Sequence, residues 1–285
     1  MRQGPPSYNA GAVSEGTADL TRRKGDYGFD APLLPALMGA TGVFLAVVGL
    51  VIALRGGSLS NATGPWLAAV FFLLSASLYV YTTRVGKFVV WADLLQHAGL
   101  RGDEHLLDMG SGRGAVLLMA AKLLPAGMAV GLDLWRSIDQ SGNRMETALA
   151  NAEAEGVRDR VQLHTGDMSE MPFPDDAFDI VLSSMSIHNI KTAAGRSRAV
   201  SEAVRVLRPG GRLLVADIIA TGEYANRLHE LRMEDVRRRP LGWRFWYGGP
   251  WVAASLVTAR KPAAGAETAA HRRMRISRGG ETPRM

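Results

Sequence analysis

The sequence predicts an α/β fold with a mainly parallel sheet, preceded by two membrane-spanning helices. Three observations predict it. Residues 31–84 contain two long apolar runs, separated by a short loop. From Gly86 onward, short apolar runs alternate with amphipathic segments, which is typical of βαβ units. The first predicted strand then enters a glycine-rich turn, LLDMGSGRGAV.

The first apolar run fills the interval between Asp30 and Arg55 and contains no charged residue. As a helix it is about 36 Å long, enough to cross a hydrocarbon core of about 30 Å. The second run, residues 65–83, has aromatic residues at both ends, where interfacial anchors are expected. We predict a transmembrane hairpin over residues 31–84. The alternatives are a buried helical pair and a signal peptide, which would leave the second run unexplained.

The distribution of basic residues predicts how this hairpin is oriented. Three basic residues at 22–24 precede it, Arg84 and Lys87 follow it, and the connecting loop holds only Arg55. By the positive-inside rule, both termini and everything from about residue 85 are cytoplasmic, so we expect a two-pass protein of the cell membrane.

The two ends of the chain are polar and lack a helical or strand period. Residues 1–30 predict a disordered leader and residues 261–285 a basic disordered tail, which supplies most of the net charge of +6. The tail is a candidate for contact with anionic lipid or nucleic acid, but solvation is the simpler interpretation, and we expect no nucleic-acid partner. The chain has no cysteine, which excludes disulfides and cysteine nucleophiles, and its six histidines have no metal-ligand spacing.

Residues 85–260 predict one catalytic-sized domain. Strands are expected near 104–109, 127–132, 160–164, 178–183 and 211–217. The helix before the fifth strand ends at RPGG, residues 208–211. A further helix is expected over residues 223–238. Two apolar runs around Gly248, Gly249 and Pro250 then predict a terminal β-hairpin over residues 242–259.

The glycine-rich turn predicts a ligand site. Gly110, Gly112 and Gly114 allow a sharp turn and close approach to bare backbone, and the next helix offers unpaired N–H groups. Asp133 ends the second strand, where its carboxylate can accept both hydroxyls of a ribose. Nicotinamide and other adenosine cofactors share these features, so the glycines alone do not choose between them.

Three further features favour a different cofactor from a dinucleotide. Asp108 lies at the end of the first strand, where a carboxylate would repel a pyrophosphate but would suit a cationic group. Asp167 follows the third strand, where it can accept from an adenine amine. The segment LRPGG leads into the fifth strand.

In this order, these motifs resemble the class I S-adenosylmethionine-dependent methyltransferases, most closely the group that includes the ubiquinone and menaquinone C-methyltransferases. The resemblance covers about residues 86–260. It implies a Rossmann-like seven-stranded sheet of order 3-2-1-4-5-7-6, the last strand antiparallel, with helices on both faces. It also implies S-adenosyl-L-methionine as the cofactor.

The resemblance implies cofactor contacts at four strand ends. The first strand and its turn would hold the amino-acid end of the cofactor, through Asp108, Gly110, Ser111, Gly112 and Gly114. The second would supply the ribose and adenine contacts, Asp133, Leu134 and Trp135. The third and fourth would supply Asp167, Met168 and either Ser183 or Ser184. Asn143, in the following segment, either caps a helix or reaches the cofactor.

The implied reaction transfers the sulfonium methyl group to a nucleophile. His188, in SSMSIHNIK after the fourth strand, is the candidate base, the alternative being a structural histidine. We expect a membrane-anchored methyltransferase with a small, hydrophobic or lipid-like acceptor. The alternatives are a membrane-tethered interaction module that binds the cofactor without turnover, and a nicotinamide oxidoreductase. No metal is expected.

Overall fold

A computed structural model of the chain describes residues 19–56, 58–138 and 140–263. It contains an antiparallel helical pair and an α/β domain. The pair consists of α1, Leu33–Leu54, and α2, Leu59–Tyr81. Both helices are long and apolar enough to be candidate membrane spans.

The two helices pack closely through small residues while their other faces stay exposed. Gly42 is buried beneath Leu73, whose Cγ would lie 2.7 Å from an added Cβ, and Gly49 is buried beneath Trp66. In the most apolar 18-residue stretch of α1, only 11% is buried within the chain. The corresponding share is 17% for the continuous helix Leu59–Gln96. Large side chains point outward, among them Leu33, Leu37, Phe44, Leu67 and Leu74. A core helix of a soluble domain would bury this surface.

The hairpin joins the α/β domain through a continuous helix. After Tyr81 a π-helical turn, Thr82–Gly86, leads directly into α3, Lys87–Gln96. Along α3 the side chains of Val90, Trp91 and Leu95 are buried in the domain core. The boundary predicted between residues 84 and 85 therefore lies inside a helix that the hairpin and the domain share.

The domain contains a seven-stranded sheet of order β3-β2-β1-β4-β5-β7-β6, as the resemblance implied. Strands β1 to β5 are parallel, and β7 runs antiparallel to both β5 and β6. The strands are β1 His105–Met109, β2 Met128–Asp133, β3 Val161–Thr165, β4 Phe178–Ser184, β5 Leu207–Asp217, β6 Glu234–Pro240 and β7 Ser255–Arg260.

Helices cover both faces of the sheet. They are α3, α4 Ala115–Lys122, α5 Met145–Glu155, α6 Ala193–Val206 and α7 Thr221–Glu230. Adjacent residues Leu106 and Leu107 belong to two different core clusters, because successive strand side chains point to opposite faces. The first cluster includes α3 and α4, and the second includes α6 and α7.

Two sequence predictions near the end of the domain are wrong. The helix expected over 223–238 ends at Glu230, and β6 follows as an edge strand. The first strand of the terminal hairpin is therefore β6, not the apolar run that begins at Gly242. Because β6 is an exposed edge strand, it carries charged residues, including three consecutive arginines, and lacks the apolar pattern of a core strand.

The leader is ordered where the structure describes it, so the prediction of disorder is wrong for residues 19–30. Leu20 and Tyr27 are buried, at 4% and 6% exposure. The backbone of Asp26 donates to Asn151, and those of Lys24 and Gly25 donate to Glu155. These fixed partners on α5 explain the order in a polar segment. Residues 1–18 lie outside the described residues.

The predicted disordered tail begins at a residue that is held in place. Lys261 Nζ donates to the carbonyls of Val204 and Leu207, which lie at the junction of α6 and β5. The remainder of the tail, from residue 264, lies outside the described residues.

Candidate functional site

A cavity of about 670 Å³ opens at the carboxyl ends of the central strands. It lies beside β1, where the strand order reverses between β1 and β4, the place where open α/β sheets bind ligands. One side is lined by the glycine-rich turn and the ends of β2 and β3. The other side is lined by the base of the helical hairpin, the loop after β4 and the β6–β7 connection.

The glycine-rich turn has a backbone that other residues would strain. Gly110 has φ +76°, and an added Cβ would collide with Ser186. Gly112 has φ +52°, and an added Cβ would lie 2.6 Å from Gln140 Oε1. The Gly112 N–H donates to Asp133 Oδ2 at 2.8 Å. The turn therefore presents bare backbone to the cavity, and Asp133 helps to hold it there.

Asp108 is buried on the cavity wall, with 1% of its surface exposed. Its Oδ1 has no hydrogen-bond partner among the described residues. Burial, and then the negative charge of Asp133, raise the pKa of Asp108 to about 7. A cationic ligand group at this position would supply the missing donor and would offset the cost of ionising the carboxyl.

Two more buried oxygens on the cavity wall lack partners among the described residues, Ser111 Oγ and Asn143 Oδ1. Asp133 is held by its neighbours: besides Gly112, it accepts from the Trp135 N–H at 2.6 Å and from Asn143 Nδ2 at 3.1 Å. Buried polar atoms rarely stay unpaired. This side of the cavity is therefore suited to a ligand that carries several hydrogen-bond donors and a cationic group, such as the ammonium group of S-adenosylmethionine.

The remaining predicted cofactor residues fall into two groups. Those that line the cavity are Gly110, Ser111, Gly112, Leu134, Asp167, Met168 and Ser184. Asp167 accepts from the backbone and hydroxyl of Ser169, and these two bonds lower its pKa. Gly114, Trp135 and Ser183 are not among the lining residues.

The structure gives the reason in each of these three cases. Gly114, at φ +87°, is the N-cap of α4 and shapes the turn from behind. Trp135 has φ +57°, and its indole N–H donates to Thr165 Oγ1 at 2.9 Å. The Ser183 hydroxyl is buried and donates to the carbonyl of Met109. Its neighbour Ser184 lines the cavity and accepts from Trp91.

His188 lines the cavity and is paired with a buried carboxylate. Its Nδ1 lies 2.6 Å from Asp217 Oδ1, and its backbone N–H donates to Asp217 Oδ2 at 3.0 Å. Asp217, which is fully buried, also accepts from Tyr224 Oη. An ionised carboxylate only accepts hydrogen bonds, so in the neutral imidazole paired with it Nδ1 is the donor and Nε2 is the acceptor. This pairing fixes the orientation of the imidazole ring at the cavity wall.

Asp217 is a site residue that the sequence predictions missed. The signal was present, because Asp217 ends β5 just as Asp133 ends β2, and carboxyl ends of parallel strands meet at one edge of a sheet. Because His188 follows β4, an acidic residue at the end of the neighbouring strand β5 is the expected partner for its side chain.

A second polar cluster, which the sequence predictions also missed, lies on the hairpin side of the cavity. Lys87 Nζ contacts both carboxylate oxygens of Asp30, at 2.8 and 3.0 Å. Asp30 also accepts from Tyr247 Oη and Gln140 Nε2. These residues lie far apart in the sequence, so no local motif marks them.

Comparison with known proteins shows what this domain is similar to. Residues 107–215 match the family described as "Methyltransferase domain". The chain is 36% identical over 133 residues to the ubiquinone/menaquinone biosynthesis C-methyltransferase UbiE of Dinoroseobacter shibae, covering 46% of this chain and 50% of that protein. It is 34% identical over 145 residues to the 27-O-demethylrifamycin SV methyltransferase of Amycolatopsis mediterranei, covering 51% and 48%. The chain spans about half the length of the curated relatives it matches.

Solved structures share the fold at low identity. The [4+2]-cyclase SpnF aligns with a TM-score of 0.51 and 22% identity, over 62% of this chain and 83% of that one. A geranyl diphosphate methyltransferase in complex with SAM aligns with a TM-score of 0.50 and 17% identity, over 66% and 90%. At these identities the likeness concerns the fold of the domain.

Proposed function

We propose that this protein, whose residues 107–215 match a methyltransferase domain family, is a membrane-anchored class I S-adenosylmethionine-dependent methyltransferase that acts on a small, hydrophobic or lipid-like acceptor. The observation that carries the proposal is the composition of the cavity wall. Asp108 and Asp133 line the same cavity as Leu34 and Met38, which belong to a candidate membrane helix.

The cofactor half of the cavity suits S-adenosylmethionine, which supplies a sulfonium methyl group when bound. Asp108 offers a buried carboxylate to the ammonium group, and Asp133 offers an oriented carboxylate to the ribose hydroxyls. Ser111 and Asn143 contribute the further unpaired oxygens. We propose that Leu134, Asp167 and Met168, all of which line the cavity, contact the adenine end of the cofactor.

The base in this proposal is His188, held by Asp217. With Nδ1–H directed at the buried carboxylate, Nε2 takes a proton from an acceptor hydroxyl or an acidic carbon as the methyl group is transferred. Asp217 fixes the orientation of the ring and stabilises the imidazolium that forms. Methyl transfer depends mainly on the alignment of two reactants, because the sulfonium is already a good leaving group. The continuous helix that joins the hairpin to the domain through α3 supports such alignment.

The acceptor half of the cavity supports a hydrophobic substrate. Leu34 and Met38 come from α1, Ile190 from the loop after β4, and Val252 from the β6–β7 connection. An acceptor dissolved in the bilayer would meet this wall at high local concentration, because the hairpin tethers the domain there. The basic residues that flank the hairpin at 22–24, 84 and 87 support a two-pass topology with the domain and both termini in the cytoplasm.

Methyl transfer to a lipid fraction tests the proposal. The full chain, reconstituted in nanodiscs, is incubated with methyl-labelled cofactor and either a lipid extract or an aqueous metabolite extract. We expect label in the lipid extract, and its loss in His188→Ala. Label confined to an aqueous metabolite would overturn the lipid-like acceptor. Cofactor binding by calorimetry with no labelled product in either extract would favour the alternative, a tethered cofactor-binding module.

A further inference from the structure

The β6–β7 connection, residues 241–254, lies along the outside of α2. Trp243 stacks on Tyr81 with ring centroids 5.2 Å apart and an interplanar angle of 17°. Trp251 stacks on Phe71 with centroids 5.2 Å apart and an angle of 30°. Phe71 and Tyr81 are ten residues apart on one helix, about 15 Å along its axis. The connection therefore follows α2 for about half of its length.

Contacts with the π-helical turn after α2 and with α1 hold the connection in this position. Thr82 Oγ1 donates to the carbonyl of Trp246 at 2.6 Å. Gly86 passes so close to the Arg244 carbonyl oxygen that an added Cβ would collide with it. Gly248 packs against Met38 of α1, where an added Cβ would lie 3.4 Å from the Met38 Cε. The connection is thus part of the same rigid unit as the hairpin.

The outer surface of the connection is apolar, and seven of its backbone N–H groups donate to carbonyls within it. Trp243 is 46% exposed and Trp251 is 58% exposed. The N–H groups of Tyr247 and Ala254 donate to Val252 and Phe245 across the connection. Arg244, its only charged residue, lies over the Trp243 ring at 5.1 Å. Non-helical backbone is tolerated at membrane depth only when its polar groups are paired or covered by protein.

The level of the two tryptophans can be read from α2. If α2 crosses the bilayer with Tyr81 at the cytoplasmic headgroups, Trp243 lies at that level, where tryptophan is enriched. Trp251, beside Phe71, then lies about 15 Å further in, against a hydrocarbon core of about 30 Å.

We propose that residues 241–254 are a third membrane-inserted element, which enters the cytoplasmic leaflet beside α2 and contacts lipid acyl chains through Trp251. Its inner side, with Tyr247 and Val252, and the start of α1, with Leu34 and Met38, line the cavity together, and in this proposal the acceptor passes from the leaflet along these two segments. The inference rests on the proposed membrane hairpin, and it adds the route by which an apolar acceptor reaches the site.

The chain has no cysteine, so single cysteines can be introduced for spin labelling without a prior cysteine-free variant. The label goes to Trp251→Cys and Trp243→Cys in the connection. Val47→Cys, at an exposed site in the middle of α1, is the lipid reference. Gln162→Cys, on β3 at the opposite edge of the sheet, is the water reference. Collision rates with oxygen, which partitions into lipid, and with a water-soluble nickel chelate are measured on the full chain in nanodiscs.

We expect the oxygen-to-nickel ratio at 251 to match that at 47 and to exceed that at 162 by at least tenfold, with 243 between them. A ratio at 251 equal to that at 162, while 47 reports lipid, would overturn the inference and leave the hairpin standing. A label at 251 shielded from both reagents would overturn it in favour of a protein contact, such as a second copy. A water-like ratio at 47 as well would overturn both the inference and the proposed anchor.

A second readout does not depend on replacing a stacked tryptophan with cysteine. Lipids brominated along the acyl chain quench tryptophan emission by contact. We expect Trp251→Phe to remove a larger share of the quenchable emission than Trp135→Phe, since Trp135 lies in the domain with its indole bonded to Thr165. Equal losses in the two variants would contradict lipid contact at Trp251.

Discussion

The two halves of the cavity are built in different ways. The cofactor half comes from a continuous part of the chain, between Asp108 and Met168. The acceptor half comes from distant segments: the leader, the hairpin, the loop after β4 and the β6–β7 connection. The bond from Gly112 to Asp133 spans 21 residues, whereas that from Tyr247 to Asp30 spans 217. One half is a local motif, and the other exists only after the whole chain has folded.

The halves also differ in how their polar groups are paired. In the cofactor half, oxygens of Asp108, Ser111 and Asn143 are buried without partners among the described residues. In the acceptor half, Lys87 is paired with Asp30, and His188 with Asp217. We therefore expect substitutions in the cofactor half to change ligand affinity, and substitutions in the acceptor half to change turnover or stability.

The largest effect is expected at His188. Replacing it with alanine removes the base, and we expect kcat to fall by about 10²–10⁴-fold, the usual range for general acid–base catalysis. Asp217→Asn should lower kcat by less than this, because the histidine remains but loses its orienting charge. The measurement is labelled-methyl transfer at saturating cofactor.

The matched control for this prediction is His97→Ala, since the His97 side chain is 67% exposed, at the end of α3. We expect it to keep the kcat of the natural chain. Equal activity in His188→Ala and His97→Ala would mean that His188 is structural, and that the acceptor has no proton to lose or loses it to water.

The second effect concerns stability in the acceptor half. The side chains of Lys87 and Asp30 are 6% and 19% exposed, so the pair is largely removed from water. Replacing Lys87 with methionine leaves Asp30 without its cation, and we expect the free energy of unfolding to fall by about 3–5 kcal/mol. Thermal denaturation in detergent measures it as a lower melting temperature.

The double variant Lys87→Met with Asp30→Asn separates the two contributions to that loss. Because this variant has no uncompensated charge at position 30, we expect it to recover part of the stability lost in the single variant. A double variant less stable than Lys87→Met would contradict the burial argument and would indicate that Asp30 acts mainly through Tyr247 and Gln140.

The same contrast explains which features the sequence could predict. The strands and the turn follow from local patterns of apolar runs, glycines and acids at strand ends, whereas the sheet order came from the family resemblance that those motifs carry. The choice between Ser183 and Ser184 was left open, although strand alternation allows only one of them to face the cavity. The β6 strand was missed because an edge strand carries charge in place of a buried face. Asp30 and Tyr247 were beyond reach, because their positions depend on packing between distant segments.

The third effect is a pH dependence in the cofactor half. The pKa of Asp108 is raised to about 7. Between about pH 4 and pH 7 the free folded protein therefore holds a proton on this carboxyl, whereas the unfolded chain has lost it. Its contribution to stability is therefore greatest below about pH 4 and is lost as pH rises through 7. A cationic ligand needs the ionised form, so we expect cofactor affinity to fall by up to about tenfold per pH unit below 7.

Calorimetry in buffers of different ionisation enthalpy measures this linkage, as proton release on cofactor binding near pH 6. Asp108→Asn should bind the cofactor more weakly and release no proton. It should also be more stable than the natural chain at pH 8, without ligand, because it no longer buries a charge. Proton release that persists in Asp108→Asn would assign the linkage to another group.

The smallest expected effect tests whether the leader supports the cofactor half of the cavity. Although far away in sequence, residues 19–30 support the cofactor half, since Gln140 donates to the Tyr27 carbonyl and accepts from the N–H of Arg113 beside the turn. Burial of Glu155 opposes its ionisation, but bonds from Lys122, Gly25 and Lys24 prevail and lower its pKa to about 2. Its stabilising contribution is therefore full above about pH 4.5 and is lost as pH falls through 2.

Glu155→Gln keeps the shape of this side chain and removes the negative charge that accepts hydrogen bonds from the backbone of the leader. We expect trypsin at pH 8 to cut after the basic residues at 22–24 several times faster, because opening the leader exposes those bonds. Glu153→Gln, at an exposed site on the same helix, is the matched control and should keep the natural rate. If cofactor affinity falls a few-fold in Glu155→Gln but not in Glu153→Gln, the leader is part of the cofactor half; if only the cleavage rate changes, it is a clamp on α5 alone.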